Sequence, residues 1–262
     1  MFVKGKYNTD STALDQRIKS HDKFGSKDLN NWIFKNIQLS GGYSVLDLGC
    51  GTGKQSIPIA KTVGIDGEVY SIDLSQSALD SLMSKAIIDK VNNQIKTLCC
   101  SHDDIQLALD DNYFDCVVSS YSIYYANNAE NIIQSIWNKL KDGGVLFYCG
   151  PSSQNNKELK KFHYSILGEE KTTAIGASMF MEGIGKDKTI EIFNKVNTTT
   201  FENILRFDSA QALYDYWSSY NLYDESIDAQ FKVSAQNYFN NNSIFETVKR
   251  VIGIRAYKAI SE

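Results

Sequence analysis

Between residues 44 and 150, short apolar runs alternate with longer stretches in which apolar positions recur every three or four residues. The apolar runs predict strands over 44–48, 68–73, 95–100, 114–119 and 144–149. Between them, Ala78, Leu79, Leu82, Met83, Ala86 and Ile87 fall at helical spacing behind an N-cap at Ser75 or Ser77. Ile132, Ile133, Ile136, Trp137 and Leu140 repeat that spacing until "KDGG" ends it. Strand and helix alternating in this way predict an α/β fold, a Rossmann-like, doubly wound, mostly parallel sheet with helices on both faces.

The flanks are patterned differently. Residues 1–40 read as a polar N-terminal helical cap, with Leu14, Ile18, His21 and Phe24 near one face, followed by Leu29, Trp32, Ile33 and Ile37. Past Pro151 the pattern is irregular: helices over 155–167 and 187–196, a strand over 198–207, an aromatic-rich helix over 209–222 and a closing strand over 243–258. The expected organisation is a cap over 1–40 and a domain over 41–262, with lid insertions around 151–185 and 208–243.

Composition narrows the partners. The formal net charge is −4 with no cluster of lysine or arginine, so the basic stripe that tracks a nucleic acid is missing. The first ten residues lack the apolar run of a signal peptide, and no stretch approaches the ~18 apolar residues of a membrane span. A cytoplasmic protein acting on a small molecule, with no nucleic acid or membrane partner, is expected; a homodimer remains open. The five cysteines form no C-x-x-C pair and have no histidines at zinc spacing, so no metal site is expected and the thiols read as structural.

The chemistry sits in "SVLDLGCGTGKQ", residues 44–55. Glycines after a first strand let the backbone approach a ligand. A P-loop fails here, because Leu48 stands where its first glycine belongs and Gln55 where its hydroxyl belongs. The dinucleotide fingerprint fails at its third glycine, where Lys54 stands. What remains, Asp47-x-Gly49-x-Gly51-x-Gly53, sets a carboxylate before the glycines, which disfavours phosphate and favours a cationic cofactor.

"VLDLGCGTG" resembles motif I of class I S-adenosylmethionine-dependent methyltransferases, and "VYSIDLS", "SHDDIQLALDDNYFDCVVSS" and "LKDGGVLF" resemble the later motifs in order. The resemblance covers residues 44–150 and implies a seven-stranded sheet that binds S-adenosyl-L-methionine and releases S-adenosyl-L-homocysteine. It implies that Asp73 takes the ribose hydroxyls, Leu74 packs on the adenine, Asp103 meets the adenine amino group with Asp104 following, and Ser119 or Ser120 contacts the methionine portion. Tyr7 is similar to an N-terminal tyrosine that such enzymes place near the cofactor carboxylate, a role Arg17 could share. Tyr121, Tyr124 and Tyr125 would approach the acceptor. The [DN]-P-P-[FYW] signature of adenine and glutamine N-methylation is absent. For a hydroxyl acceptor, histidine is the natural base; His21 and His163 are the candidates, with Tyr124 as a polar acceptor contact and His102 ranked behind them. By analogy, the acceptor is an oxygen of a sugar, sugar phosphate or phosphoramidate precursor in a surface-polysaccharide or secondary-metabolite pathway. RNA or protein methylation, or a noncatalytic cofactor-binding module, are the alternatives.

Overall fold

The computed structural model describes residues 11–169 and 176–260. Helices α1 (Ser11–Phe24) and α2 (Leu29–Ile37) precede an alternating run: β1 (Ser44–Leu48), α3 (Ser56–Val63), β2 (Glu68–Asp73), α4 (Gln76–Ile88), β3 (Ile95–Cys99), α5 (Ile105–Ala108), β4 (Phe114–Ser120), α6 (Ala129–Lys139) and β5 (Leu140–Pro151). Then come α7 (Lys157–Leu167), α8 (Gly176–Glu182), α9 (Ile184–Ile192), β6 (Lys195–Phe207), α10 (Ala210–Ser218), α11 (Asp228–Asn241) and β7 (Phe245–Tyr257). The seven strands form one sheet in the order β3-β2-β1-β4-β5-β7-β6. Strands β1 to β5 are parallel. Chain order reverses between β1 and β4, so the crevice where such sheets bind ligands opens at the carboxyl ends of those two strands.

The described residues divide into two compact units, a sheet unit of residues 30–152, 176–200 and 252–260 and a second unit of 11–29, 153–169 and 201–251. These limits differ from the expected cap and lid. Helix α2, expected in the cap, belongs to the sheet unit: Ile33 and Ile37 are buried, and Trp32 meets Phe147 edge-on at 5.7 Å between ring centres. Gly253 makes room for that indole, since a Cβ there would lie 2.6 Å from the Trp32 ring. Helices α8 and α9 join the same unit, with Phe180 and Met181 buried and Thr189 bonded to the Tyr148 hydroxyl at 2.9 Å. Burial of these apolar side chains, worth about 1.5–3 kcal/mol each, outweighs the weak local pattern.

Strand β5 starts at Leu140 rather than Gly144, because a register shift opposite Phe114 and Cys116, with Gly143 at φ 74°, absorbs "KDGG" into the strand. In the second unit the aromatic residues form the core: Trp217 stacks on Phe231 at 3.9 Å, and Leu213, Phe207 and Tyr216 are buried around them. Of the five cysteines, all free, Cys50, Cys116 and Cys149 are buried as expected, whereas Cys99 is exposed on edge strand β3.

Candidate functional site

The turn after β1 holds Gly49, Gly51 and Gly53 at φ of 77°, 52° and 86°, all in the left-handed region. The three serve different ends. A Cβ on Gly49 would collide with the Ser122 hydroxyl and come within 3.0 Å of His102 Nε2, and one on Gly53 would lie 2.7 Å from Leu82. A Cβ on Gly51 would meet nothing within 4 Å. Gly49 and Gly53 are therefore small because protein packs on them, while Gly51 faces open space.

The amides of the turn are largely consumed inside the protein. Gly49 N and Cys50 N both donate to Ile72 O, at 2.8 and 2.9 Å, and Gly53 N donates to Cys50 O at 3.0 Å. Gly51 N donates to Asp73 Oδ2 at 2.9 Å, while Ser75 N donates to Asp73 Oδ1 at the same distance. Asp73 thus staples the glycine turn to the start of α4 and is almost buried. Each of its oxygens keeps a lone pair.

Beneath the turn, Asp47 Oδ2 accepts from Ser56 Oγ at 2.5 Å, and Ser56 Oγ accepts from Ser71 Oγ at 2.9 Å. Burial pushes the Asp47 carboxyl up to about 7; the Ser56 hydrogen bond opposes this and the nearby Asp73 charge adds to it. Asp47 is 1% exposed, so it does not front the ligand space as expected; it ties β1 to α3. Ser119 is corrected in the same way: fully buried, its Oγ donates to Leu48 O at 2.8 Å and joins β4 to β1.

Beyond β3, a 3₁₀ turn over His102–Asp104 stands beside the loop. Asp103 accepts from Asn127 N through both oxygens, at 3.1 and 3.0 Å, and from Asn127 Nδ2 at 2.6 Å, so it clamps the loop before α6. Asp104 completes a capping box with Ser101. Leu74 projects as an apolar side chain 63% exposed next to Asp73. His102, ranked last among the histidines, is the one at the glycine turn: its Nε2 lies 3.0 Å from Ser122 Oγ, and burial holds the ring below the usual imidazole range while Asp73 and Asp103 oppose the shift. Only the place of His102 beside the adenine motif, next to Asp103, hinted at this; Ser122 carried no signal.

Tyr124 lies in the sheet unit on a 3₁₀ turn over Ile123–Tyr125, half-buried, with Tyr125 at 4.8 Å between ring centres. Gly150 on β5 lets it approach, since a Cβ there would lie 2.8 Å from the Tyr124 ring and 3.0 Å from Met181 Sδ. Helix α8 packs on that turn and leaves Met179 exposed. His21 and His163 belong to the second unit. His163 is corrected as a general base: its Nδ1 accepts from Trp217 Nε1 at 3.2 Å, and the indole N–H can only donate, so the buried ring is neutral at that nitrogen. His21 stands edge-on to Tyr216, with 5.6 Å between ring centres. Tyr7 lies outside the described residues.

Among the described residues no group of histidine, cysteine, aspartate or glutamate could hold a metal ion, and no helix is long and apolar enough to cross a membrane. The strand order, the glycine turn after β1 and the acidic residue closing β2 define the class I fold of S-adenosylmethionine-dependent methyltransferases, and residues 45–144 match the family described as a methyltransferase domain. That segment is a methyltransferase domain of this class. Among individual proteins, the chain is similar to the ubiquinone/menaquinone biosynthesis C-methyltransferase UbiE of Erwinia tasmaniensis, 32% identical over 137 residues, or 50% of this chain and 52% of that protein. It is similar to the demethylmenaquinone methyltransferase of Lactobacillus johnsonii at 29% identity over 134 residues, or 50% of this chain and 54% of that one. The chain thus spans about half the length of the relatives it matches. The crystal structure of the YcgJ protein of Bacillus subtilis superposes with a TM-score of 0.60 at 13% identity, covering 88% of this chain and 98% of that one, a likeness of fold alone.

Proposed function

We propose that the chain transfers the methyl group of S-adenosylmethionine to a small, largely apolar acceptor. The observation that carries this reading is the internal use of the glycine turn's amides. Loops that cradle phosphates present free N–H donors to the ligand; here the Gly49, Cys50, Gly51 and Gly53 amides have acceptors within the protein, one of them a carboxylate. Such a turn suits a cofactor whose charged centres include a sulfonium and an ammonium. Asp73 would take ribose hydroxyls on its remaining lone pairs, Leu74 would supply an apolar ledge for adenine, and the space over Gly51 would admit the chain between them. The adenine amino group would share Asp103 with Asn127.

Bound S-adenosylmethionine supplies an already activated methyl carbon. The protein's part is then to align the acceptor and keep water out. The side chains on the turn after β4 and on α8, which packs against it, favour an aromatic or other apolar acceptor over the sugar oxygen expected from analogy: Tyr124, Tyr125 and Met179 offer ring faces and a thioether. The relatives named as C-methyltransferases of ubiquinone/menaquinone biosynthesis support the same direction.

Calorimetric titration with S-adenosylmethionine, S-adenosylhomocysteine, NAD and ATP tests the cofactor, and transfer of labelled methyl to a hydroquinone or to a sugar phosphate tests the acceptor. Saturable binding of the first two alone is expected, with Asp73→Ala weakening it by about 10- to 100-fold, the equivalent of a lost hydrogen bond to a charged group. Binding of NAD or ATP in their place would overturn the assignment.

A further inference from the structure

Three features of the sheet unit that each cost stability meet at one contact. Tyr121, the residue after β4, holds φ at 58°, a left-handed conformation that a bulky side chain rarely adopts, and its amide donates to Cys149 O at 2.8 Å. Ser122 follows at the N-cap of the 3₁₀ turn over Ile123–Tyr125. A serine hydroxyl there ordinarily accepts from the turn's own amides, but this side chain makes no capping bond. Its Oγ is joined instead to His102 Nε2 at 3.0 Å. The third feature is Gly49, left-handed beneath the pair, where a Cβ would collide with the Ser122 hydroxyl and lie 3.0 Å from His102 Nε2. A strained tyrosine, a forgone cap and an obligate glycine persist together where the structure over-determines a geometry that function uses.

The short turn that carries His102 also carries Asp103, and these neighbours pin opposite ends of one segment. His102 holds Ser122 at its start; Asp103 holds Asn127 at its end, through the amide at 3.0 Å and Nδ2 at 2.6 Å. Between the pins Ile123 is fully buried, and Tyr125 N donates to Ser122 O at 2.9 Å, so a shift of Ser122 carries with it the turn that presents Tyr124 and Tyr125. His102 and Ser122 are both buried. A neutral imidazole and a hydroxyl bond in either tautomer, one donating and the other accepting, so the contact has a direction that an apolar pair of the same size would lack.

We propose that His102 is a positioning residue which, through Ser122, aims the Tyr124–Tyr125 turn at the methyl acceptor. The inference rests on the reading of those two rings as faces for an apolar acceptor. It divides the labour between adjacent residues: Asp103 serves the cofactor side and His102 the acceptor side. Misplacing a reacting group by about 1 Å costs on the order of 100-fold in rate, so a hydrogen bond that acts only through the turn is enough to show in turnover.

The test compares Ser122→Ala, His102→Leu, their combination, and His102→Gln, whose amide can replace the imidazole nitrogen, in the whole chain. Transfer of labelled methyl to naphthohydroquinone should fall about 10- to 100-fold in kcat/KM for the acceptor in each of the first two. The combination should fall no further than the worse single variant, as for two halves of one interaction, and His102→Gln should recover most of the loss. Affinity of Ser122→Ala for S-adenosylhomocysteine by calorimetry should stay within about 2-fold of wild type, which a general loosening of the site would not allow. Fluorine NMR of protein grown on fluorotyrosine, with the Tyr124 signal assigned by its loss in Tyr124→Phe, reads the turn without turnover. That signal should move in Ser122→Ala and His102→Leu and return toward its wild-type position in His102→Gln. An unmoved Tyr124 signal, additive losses in the combined variant, or equal losses for cofactor and acceptor in Ser122→Ala would overturn the proposal. A moved signal in a chain that methylates neither naphthohydroquinone nor a sugar phosphate would uphold the hold of His102 on the turn and count against methyl transfer instead.

Discussion

Lys139, closing α6, and Asp73, closing β2, are nearly buried polar groups at opposite ends of the parallel strands β1 to β5, and they are satisfied in opposite ways. Lys139, just before β5, spends all three ammonium protons: on Gln106 O at 3.0 Å, Leu109 O at 2.5 Å and Asp111 Oδ1 at 2.6 Å. Its neighbours follow suit. Lys258 binds Asn112 and Leu140 O and lies 4.1 Å over the Trp137 ring, and Asp115 takes Lys141 and the Ser44 amide. Asp73, at the end of β2, accepts only two backbone amides and has capacity left. One end of the sheet is chemically closed and sets stability; the other is held by its backbone and kept available for a ligand.

Gly49→Ala and Gly51→Ala sharpen that contrast most. The first forces a left-handed alanine into Ser122 and should cost roughly 2–4 kcal/mol of stability, measured by urea denaturation. The second carries only the backbone strain, about 1 kcal/mol, but should lose most cofactor affinity by calorimetry. Equal stability losses would erase the distinction between packed and ligand-facing glycines.

Lys139→Met at the closed end should cost about 2–3 kcal/mol, since Asp111 can fall back on solvent while two carbonyls lose their donor. Cofactor affinity of the folded protein should not move. A change in affinity would mean that the two ends are coupled.

Asp47 gives a pH signature to the open end. Its native pKa of about 7 lies above the ordinary 3.8, so the native state holds a proton that the unfolded chain has released between those values, and stability falls as pH rises through that window. Asp47→Asn removes the decline, and its stability relative to wild type should improve by about 1–3 kcal/mol from pH 5 to pH 8. A flat difference would place the carboxylate in a wetter setting than the Ser56 contact implies. The smallest effect is expected at Lys96, whose ion pair with Glu68 at 2.6 Å is half in solvent: Lys96→Ala should cost less than about 1 kcal/mol and less still in high salt.

The strands nearest the site were legible because they are buried on both faces: the expected 44–48 and 68–73 coincide with β1 and β2, and 114–119 falls one residue short of β4. Asp73 was legible from the motif, because the resemblance implies an acidic residue at the carboxyl end of the second strand, where β2 ends. Partner choice was not. Ser119 finds Leu48, Asp103 finds Asn127 and His102 finds Ser122 across 20 to 71 residues of chain, and nothing local selects among the acceptors. Helix α11 escaped for a different reason: among its 14 residues only Phe231 and Ala235 are buried, too few to mark a face.

The Trp217–His163 hydrogen bond turns the aromatic core of the second unit into an optical gauge. The indole is stacked on Phe231, shielded from solvent, and donates to the one ring nitrogen that must stay unprotonated. Acid that protonates His163 at Nδ1 must break that bond and leave a cation beside the indole, which quenches its emission. With Trp32 and Trp137 replaced by phenylalanine, intrinsic fluorescence followed down the pH scale therefore reports protonation of His163 in this core.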